Sequence, residues 1–164
     1  MTNLETVDTF KQIMGSYPTG VTIITTVNED GSPVGLTVNS FASVSLDPLM
    51  VLWCLDRKST HLNAFKNSIG FAVNILAADQ CELCWAFAGK SLDRFSKADW
   101  SYSENNLPVI SESLGVMECK TVQTIEAGDH IIFIGQIIDI VKRDKEPMLY
   151  FRRNVGLIPE GWPV

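Results

Sequence analysis

Three short stretches of this sequence carry the residue types that chemistry needs. The first is Gly35-Leu36-Thr37-Val38-Asn39-Ser40-Phe41-Ala42-Ser43-Val44-Ser45, dense in hydroxyls and small side chains and free of charge. Read as an extended chain, it turns Thr37, Asn39, Phe41, Ser43 and Ser45 to one face, unless a bulge shifts the register. Such a face offers uncharged hydrogen-bonding groups and room for a flat ligand. An ordinary half-exposed strand has the same composition. The second stretch is Asp56-Arg57-Lys58-Ser59-Thr60, with Ser59 or Thr60 predicted to N-cap a short helix through residue 67. A basic pair, hydroxyls and helix N-terminal amides suit a phosphate. A solvated loop with an N-cap would look alike. The third is Gly128-Asp129-His130, which leads into an apolar run. A histidine there can assist catalysis or act as a structural hydrogen-bonding group only.

Other chemistries lack their motifs. No dinucleotide or P-loop glycine motif, no GxSxG and no HExxH is present. With His61 and His130 as the two histidines, a Ser-His-Asp triad has few ways to form. The four cysteines are Cys54, Cys81, Cys84 and Cys119. Cys81 and Cys84 make one CxxC with no second pair to complete a zinc ribbon. The expectation is free thiols, with Cys81 and Cys84 as small apolar side chains on a helix and no bound metal.

The elements that must position these stretches follow from the hydrophobic pattern. Leu4, Val7, Phe10, Ile13 and Met14 make one helical stripe. Residues 21–27 (VTIITTV) are β-branched and predict a strand, with a turn at 28–31 and a returning strand at 34–38. The extended chain continues over 39–45, then strands are predicted at 49–55 and 69–76. Helices are expected at 79–88, with Gly89 as C-cap, and at 91–98. Residues 114–127 read as one long strand. Residues 131–141 (IIFIGQIIDIV) read as a strand covered on both faces, by a core and by a helix or a subunit partner. A last short strand at 148–151 precedes a loose tail. About seven strands joined by hairpins, without strand–helix alternation, predict a mainly β fold: an antiparallel β-barrel with short helices.

A chain of 164 residues, 46% apolar and 20% charged, predicts a single domain, 1–164, with its own core. The net charge of −6 and the lack of a basic run point away from nucleic acid and from anionic membranes. No apolar run approaches the ~20 residues that span a bilayer. The opening MTNLETVDTF has no leader pattern, so the expected compartment is the cytoplasm.

The same stretches resemble the short-chain flavin reductases, the FMN-binding split-barrel family that supplies reduced flavin to two-component monooxygenases. The likeness rests on PTGVTIIT at 18–25, GLTVNSFASVSLDP at 35–48, FAVNIL at 71–76, Phe87-Ala88-Gly89, the GDH turn before Ile131, and LYFR at 149–152. These run in family order over about 8–155 of the chain. One departure is Leu49 where the family often has a second proline. The resemblance implies a split barrel with FMN or FAD along Thr37, Val38, Asn39 and Ser40 and along Ser43, Val44 and Ser45. Cys54, Leu55, Asp56 and Arg57 would follow the ribityl chain, with Lys58, Ser59 and Thr60 at the phosphate. Ala88 and Gly89 would sit near the ligand. His130, with Phe151, Arg152, Arg153 and Asn154, would border the nicotinamide of NADH or NADPH, His130 assisting catalysis by position. It further implies a homodimer and a separate oxygenase partner. Two other readings stay open here: a relative that keeps its FMN and reduces a corrinoid or iron, and a non-catalytic flavin- or haem-binding barrel.

Overall fold

The structure is a computed structural model that describes residues 2–162 apart from Leu92. Thr2 opens α1 (Asn3–Gly15) with a capping box: the Glu5 amide donates to Thr2 Oγ1, and the Thr2 amide to Glu5 Oε2 at 2.6 Å. Five strands follow: β1 (Thr19–Gly20), β2 (Thr22–Val27), β3 (Pro33–Val38), β4 (Ala42–Leu46) and β5 (Leu49–Asp56). Next come α2 (Leu62–Asn67), β6 (Gly70–Ile75), α3 (Cys81–Ala88) and a single 3-10 turn at Phe95–Lys97. The chain then runs through β7 (Trp100–Tyr102), β8 (Pro108–Ile110), β9 (Gly115–Ala127), β10 (His130–Lys142), β11 (Leu149–Phe151) and β12 (Asn154–Gly156). The protein is mainly β, with antiparallel pairing and few helices. Among the described residues no helix is long and apolar enough to cross a membrane.

Seven strands form one sheet in the order β3-β2-β6-β9-β10-β5-β4. β3 and β4, neighbours in sequence, therefore stand at its two ends. β2 explains its own composition. Ile24 faces a core built around Trp53, Phe65, Phe71 and Phe133, while Ile23 faces a second core with Leu76, Cys84, Phe87 and Met148. A strand buried on both faces favours β-branched residues throughout.

The structure corrects four local expectations. Residues 39–45 are not one strand: the chain leaves the sheet at Val38 and re-enters it at Ala42, at the opposite end. α2 begins at Leu62, without a side-chain cap, because the Ser59 hydroxyl accepts the His61 amide in a local turn. The helix expected at 91–98 shrinks to Phe95–Lys97, its Leu92 lying outside the described residues. There Ser91 Oγ takes the Asp93 amide, and Arg94 turns away to other carbonyls. The tail forms β12, which pairs with β11. Within one chain, the strand at 131–141 is covered over half its length: Ile131 and Phe133 are buried, but Ile138, Ile140 and Val141 are exposed. Only the first half, through Gln136, lies between β9 and β5; beyond it β10 pairs with β9 alone.

Candidate functional site

A cavity of about 200 Å³ opens where the end of β3 meets α3. Thr37, Val38 and Asn39 form one wall, and Cys84, Trp85 and Ala88 the other, with Val21 and Tyr150 completing it. Two contacts fix the walls relative to each other. Thr37 Oγ1 donates to the Cys84 carbonyl at 2.7 Å. The Arg94 guanidinium donates to the Gly35 carbonyl at 2.8 Å and to that of Gly89, tying the start of β3 to the end of α3. Gly35 is required for this closeness, since a Cβ there would lie 2.8 Å from the Phe87 ring. The sequence pattern pointed to Thr37 and Asn39, and the family resemblance added Val38 and Ala88. Both missed Val21, Cys84, Trp85 and Tyr150, which carry no polar signature; Tyr150 arrives only because β11 pairs with the two-residue β1.

Ser40 spans the gap between the two ends of the sheet. Its hydroxyl accepts the Cys54 amide at 3.0 Å and donates to the Cys54 carbonyl at 3.2 Å, as a strand neighbour would. Burial pushes the Cys54 thiol up, and the Ser40 bond partly opposes this. Phe41 packs against the Trp53 core instead of sharing a face with Thr37 and Ser43. β4 is the last strand of the sheet. Ser43 opposes Val51 and Ser45 opposes Met50, so Val44 is the extra residue of a bulge. Ser43 and Val44 are exposed and Ser45 is half-buried. The outer edge of β4 leaves backbone amides and carbonyls free to bond to something else.

Beyond Cys54, the Leu55 side chain is buried in the Trp53 core, so only its backbone remains available. Asp56 closes a turn: Oδ1 accepts the Lys58 amide at 2.8 Å and its carbonyl accepts the Ser59 amide. Opposite Asp56 in register stands His130. The Arg57 amide donates to the Asp129 carbonyl, and its guanidinium pairs with Glu126 at 3.4 Å. Gly128, at a φ of 63°, makes the tight turn that aims His130. The His130 Nδ1 lies 2.7 Å from Asp129 Oδ1. That hydrogen bond, helped by the Lys58 charge, holds the Asp129 carboxyl below its ordinary value. His130 thus joins Asp56, Arg57 and Lys58 in one polar end of the sheet.

Thr60 faces elsewhere. It lines a separate hollow of about 490 Å³ with His61, Arg94 and the start of β3. Phe151 and Asn154 flank a tight hairpin whose central residues, Arg152 and Arg153, both have positive φ. The Arg152 amide donates to the Gly15 carbonyl at 2.8 Å, anchoring this hairpin to the end of α1. Arg152 and Arg153 share a hollow there with Asp8 and Lys11. Within one chain, then, the structure joins His130 to residues 56–58 and the Phe151–Asn154 hairpin to α1. Exposed Gly89 caps α3 beside Ala88.

The polar lining of the β3–α3 cavity is made of hydroxyls, an amide side chain and backbone. It suits a flat ligand rich in carbonyls and ring nitrogens, and flavins are such ligands. Comparison with known proteins agrees with this chemistry. Residues 14–158 match the family model described as a flavin reductase like domain. The chain is 37% identical over 155 residues to the reductase component of the flavin-dependent trigonelline monooxygenase of Acinetobacter baylyi. That match covers 93% of this chain and 50% of the relative. It is 38% identical over 141 residues to the FMN reductase (NADH) SmoA of Agrobacterium fabrum, covering 86% of this chain and 80% of that one. Among solved structures, the NADH:FAD oxidoreductase SgcE6 of Streptomyces globisporus, in complex with NAD and FAD fragments, superposes with a TM-score of 0.91 at 30% identity. The superposition covers 99% of each chain. On the family match and these identities, the chain belongs to the flavin reductase like domain family.

Proposed function

We propose that this chain, over 1–164 a single flavin reductase-like domain, is an NAD(P)H:flavin oxidoreductase that supplies reduced FMN or FAD to a separate monooxygenase. The observation that carries this is the uncharged cavity that Thr37, Val38 and Asn39 form against α3, in a chain of this family. When bound, the flavin accepts the hydride of the reduced nicotinamide, so the protein supplies position and electrostatics. Thr37, Val38, Asn39 and Ser40 hold the ring edge and the start of the ribityl chain. Free amides between Ser43 and Ser45 face the carbonyl edge and stabilise the negative charge that grows there. Lys58 and Ser59 serve the phosphate end, while Thr60 lines the separate hollow with His61 and Arg94. Ala88 and Gly89 admit the ring closely because they lack bulk.

The Asp129 carboxylate can only accept, so His130 Nδ1 carries the proton and Nε2 is left as the ring's free nitrogen. Asp129 therefore fixes both the orientation and the tautomer of His130. His130→Ala should lower turnover about tenfold, some 1.4 kcal/mol of transition-state stabilisation, with FMN affinity little changed. A thousandfold loss would instead make His130 an obligatory proton donor. An unchanged rate would reduce it to a turn residue.

The reading extends to architecture. β3 and β4 stand at opposite ends of the sheet yet are joined by residues 39–41 alone, with Ser40 bonded to β5; this supports a sheet curled into a split barrel. α1 has no buried residue and exposes Leu4, Phe10 and Ile13; Ile138 and Ile140 on β10 are exposed as well. These apolar faces support a homodimer that covers them. A cytoplasmic setting fits a donor that metabolism regenerates there.

The test is steady-state oxidation of NADH and NADPH with FMN, FAD and riboflavin in turn. The near-ultraviolet absorbance of the nicotinamide should fall only when flavin is present. No flavin-dependent loss with any donor–flavin pair would sink the proposal.

A further inference from the structure

Cys81 and Cys84 take no part in the function just proposed, yet they occupy a telling place. Cys81 is the exposed first residue of α3, and Cys84, one turn later, is buried at 3% exposure. Cys84 lines the β3–α3 cavity, and its carbonyl accepts the Thr37 hydroxyl. We propose that Cys81 and Cys84 form a peroxide-driven dithiol–disulfide switch that weakens flavin binding. It rests on the flavin reading of this cavity.

The two thiols have different access. Solvent-borne oxidant reaches Cys81. Burial, with Cys81 alongside, pushes the Cys84 thiol up to about 11, so it stays protonated and is reached only by the sulfur one turn away. The oxidant is hydrogen peroxide, the product when dioxygen oxidises free reduced flavin. Peroxide oxidises the Cys81 thiol to a sulfenic acid and releases one water. The Cys84 sulfur then displaces the hydroxyl from Cys81 sulfur; its own proton leaves with that hydroxyl as a second water. Two thiols are oxidised to one disulfide, and one peroxide is reduced to two waters. Reduction by a dithiol reverses the change.

Geometry gives the consequence. Residues three apart on a helix hold their Cβ atoms about 5–6 Å apart, and a disulfide needs about 3.5–4.5 Å. Closing the bridge draws the first turn of α3 together and shifts the Cys84 carbonyl away from Thr37. One wall of the cavity moves against the other. Reduced flavin that no oxygenase consumes thus turns off further flavin reduction through the peroxide it generates.

The test uses the full chain, titrated with hydrogen peroxide and followed by intact and peptide mass spectrometry and by FMN titration. The expected result is loss of two hydrogens located at Cys81–Cys84, with an FMN dissociation constant raised about tenfold and restored by dithiothreitol. By linkage, saturating FMN should disfavour the disulfide by the same factor, a readout independent of turnover. Cys81→Ser should bind FMN like the wild type and keep that affinity in peroxide. The proposal is overturned if peroxide gives only sulfinic or sulfonic acid at Cys81. It is overturned too if the disulfide forms and FMN affinity holds, or if Cys81→Ser loses affinity equally. Reduced wild type that binds neither FMN nor FAD refutes the flavin reading and this switch with it; the mass measurement still records whether the bridge forms, which separates the two failures.

Discussion

Trp53→Ala is expected to lower the stability of the chain by about 3–5 kcal/mol. Trp53 has no exposed surface. Its indole stacks on Phe133 with centroids 4.8 Å apart and meets the edges of Phe65 and Phe71. These rings come from β10, α2 and β6, so one side chain joins three elements. A hole of this size on a strand held from both sides has little freedom to collapse. Trp53→Phe should cost much less, about 1–2 kcal/mol. The indole Nε1 has no hydrogen-bond partner among the described residues, so its removal forfeits no bond. Urea unfolding separates the two variants: the midpoint should drop strongly for alanine and mildly for phenylalanine, at constant slope. An alanine variant with a wild-type midpoint would contradict the packing described. The site feels this core directly, because Cys54, the next residue on β5, holds the Ser40 bridge.

The parts of this architecture that the sequence announces are those whose cause is local. The 21–27 strand is legible because both of its faces are buried, and only β-branched residues serve such a position well. The α1 stripe repeats at helical spacing. The turn at Gly128 needs a positive φ that glycine adopts freely. What stayed hidden depends on distant partners. Nothing in NSFASVS says that the chain crosses between opposite ends of a sheet, because strand pairing is settled by β5 and β2. The α2 start was misjudged by one or two residues, since Ser59 can spend its hydroxyl on the His61 amide as readily as on a helix cap. For Ile138 and Ile140 the sequence left two covers open, a helix or a subunit partner, because an apolar strand looks the same whether its cover belongs to its own chain or to another.

The candidate site divides along the same line. Hydroxyls and small residues at 37–40 suggested a ligand-binding face, whereas Val21, Cys84, Trp85 and Tyr150 look like any core residue until the fold places them around the cavity. The proposed phosphate end is the most exacting case. The sequence argument placed it at the start of a helix, but α2 starts only at Leu62 and spans six residues. Any anion held at 58–59 must rely on the Lys58 charge and on the turn that Asp56 closes.

That dependence sets the second large expectation. Lys58→Ala combined with Ser59→Ala should raise the FMN dissociation constant roughly thirtyfold, about 2 kcal/mol for the loss of charge-assisted bonds. Riboflavin lacks the phosphate, so its affinity should change by less than about twofold, within the ordinary scatter of surface substitutions. Lys58 is exposed, and the FMN advantage over riboflavin in the wild type should therefore shrink as salt rises. The double variant should lose most of that salt dependence. The single variants separate the two contributions: Lys58→Ala removes the charge, while Ser59→Ala also frees the His61 amide and loosens the approach to α2. Equal loss for FMN and riboflavin would place the phosphate elsewhere. The hollow that Thr60 shares with His61 and Arg94 would then be the next place to look, and Arg94→Gln would test it at the cost of loosening the Gly35–Gly89 tie.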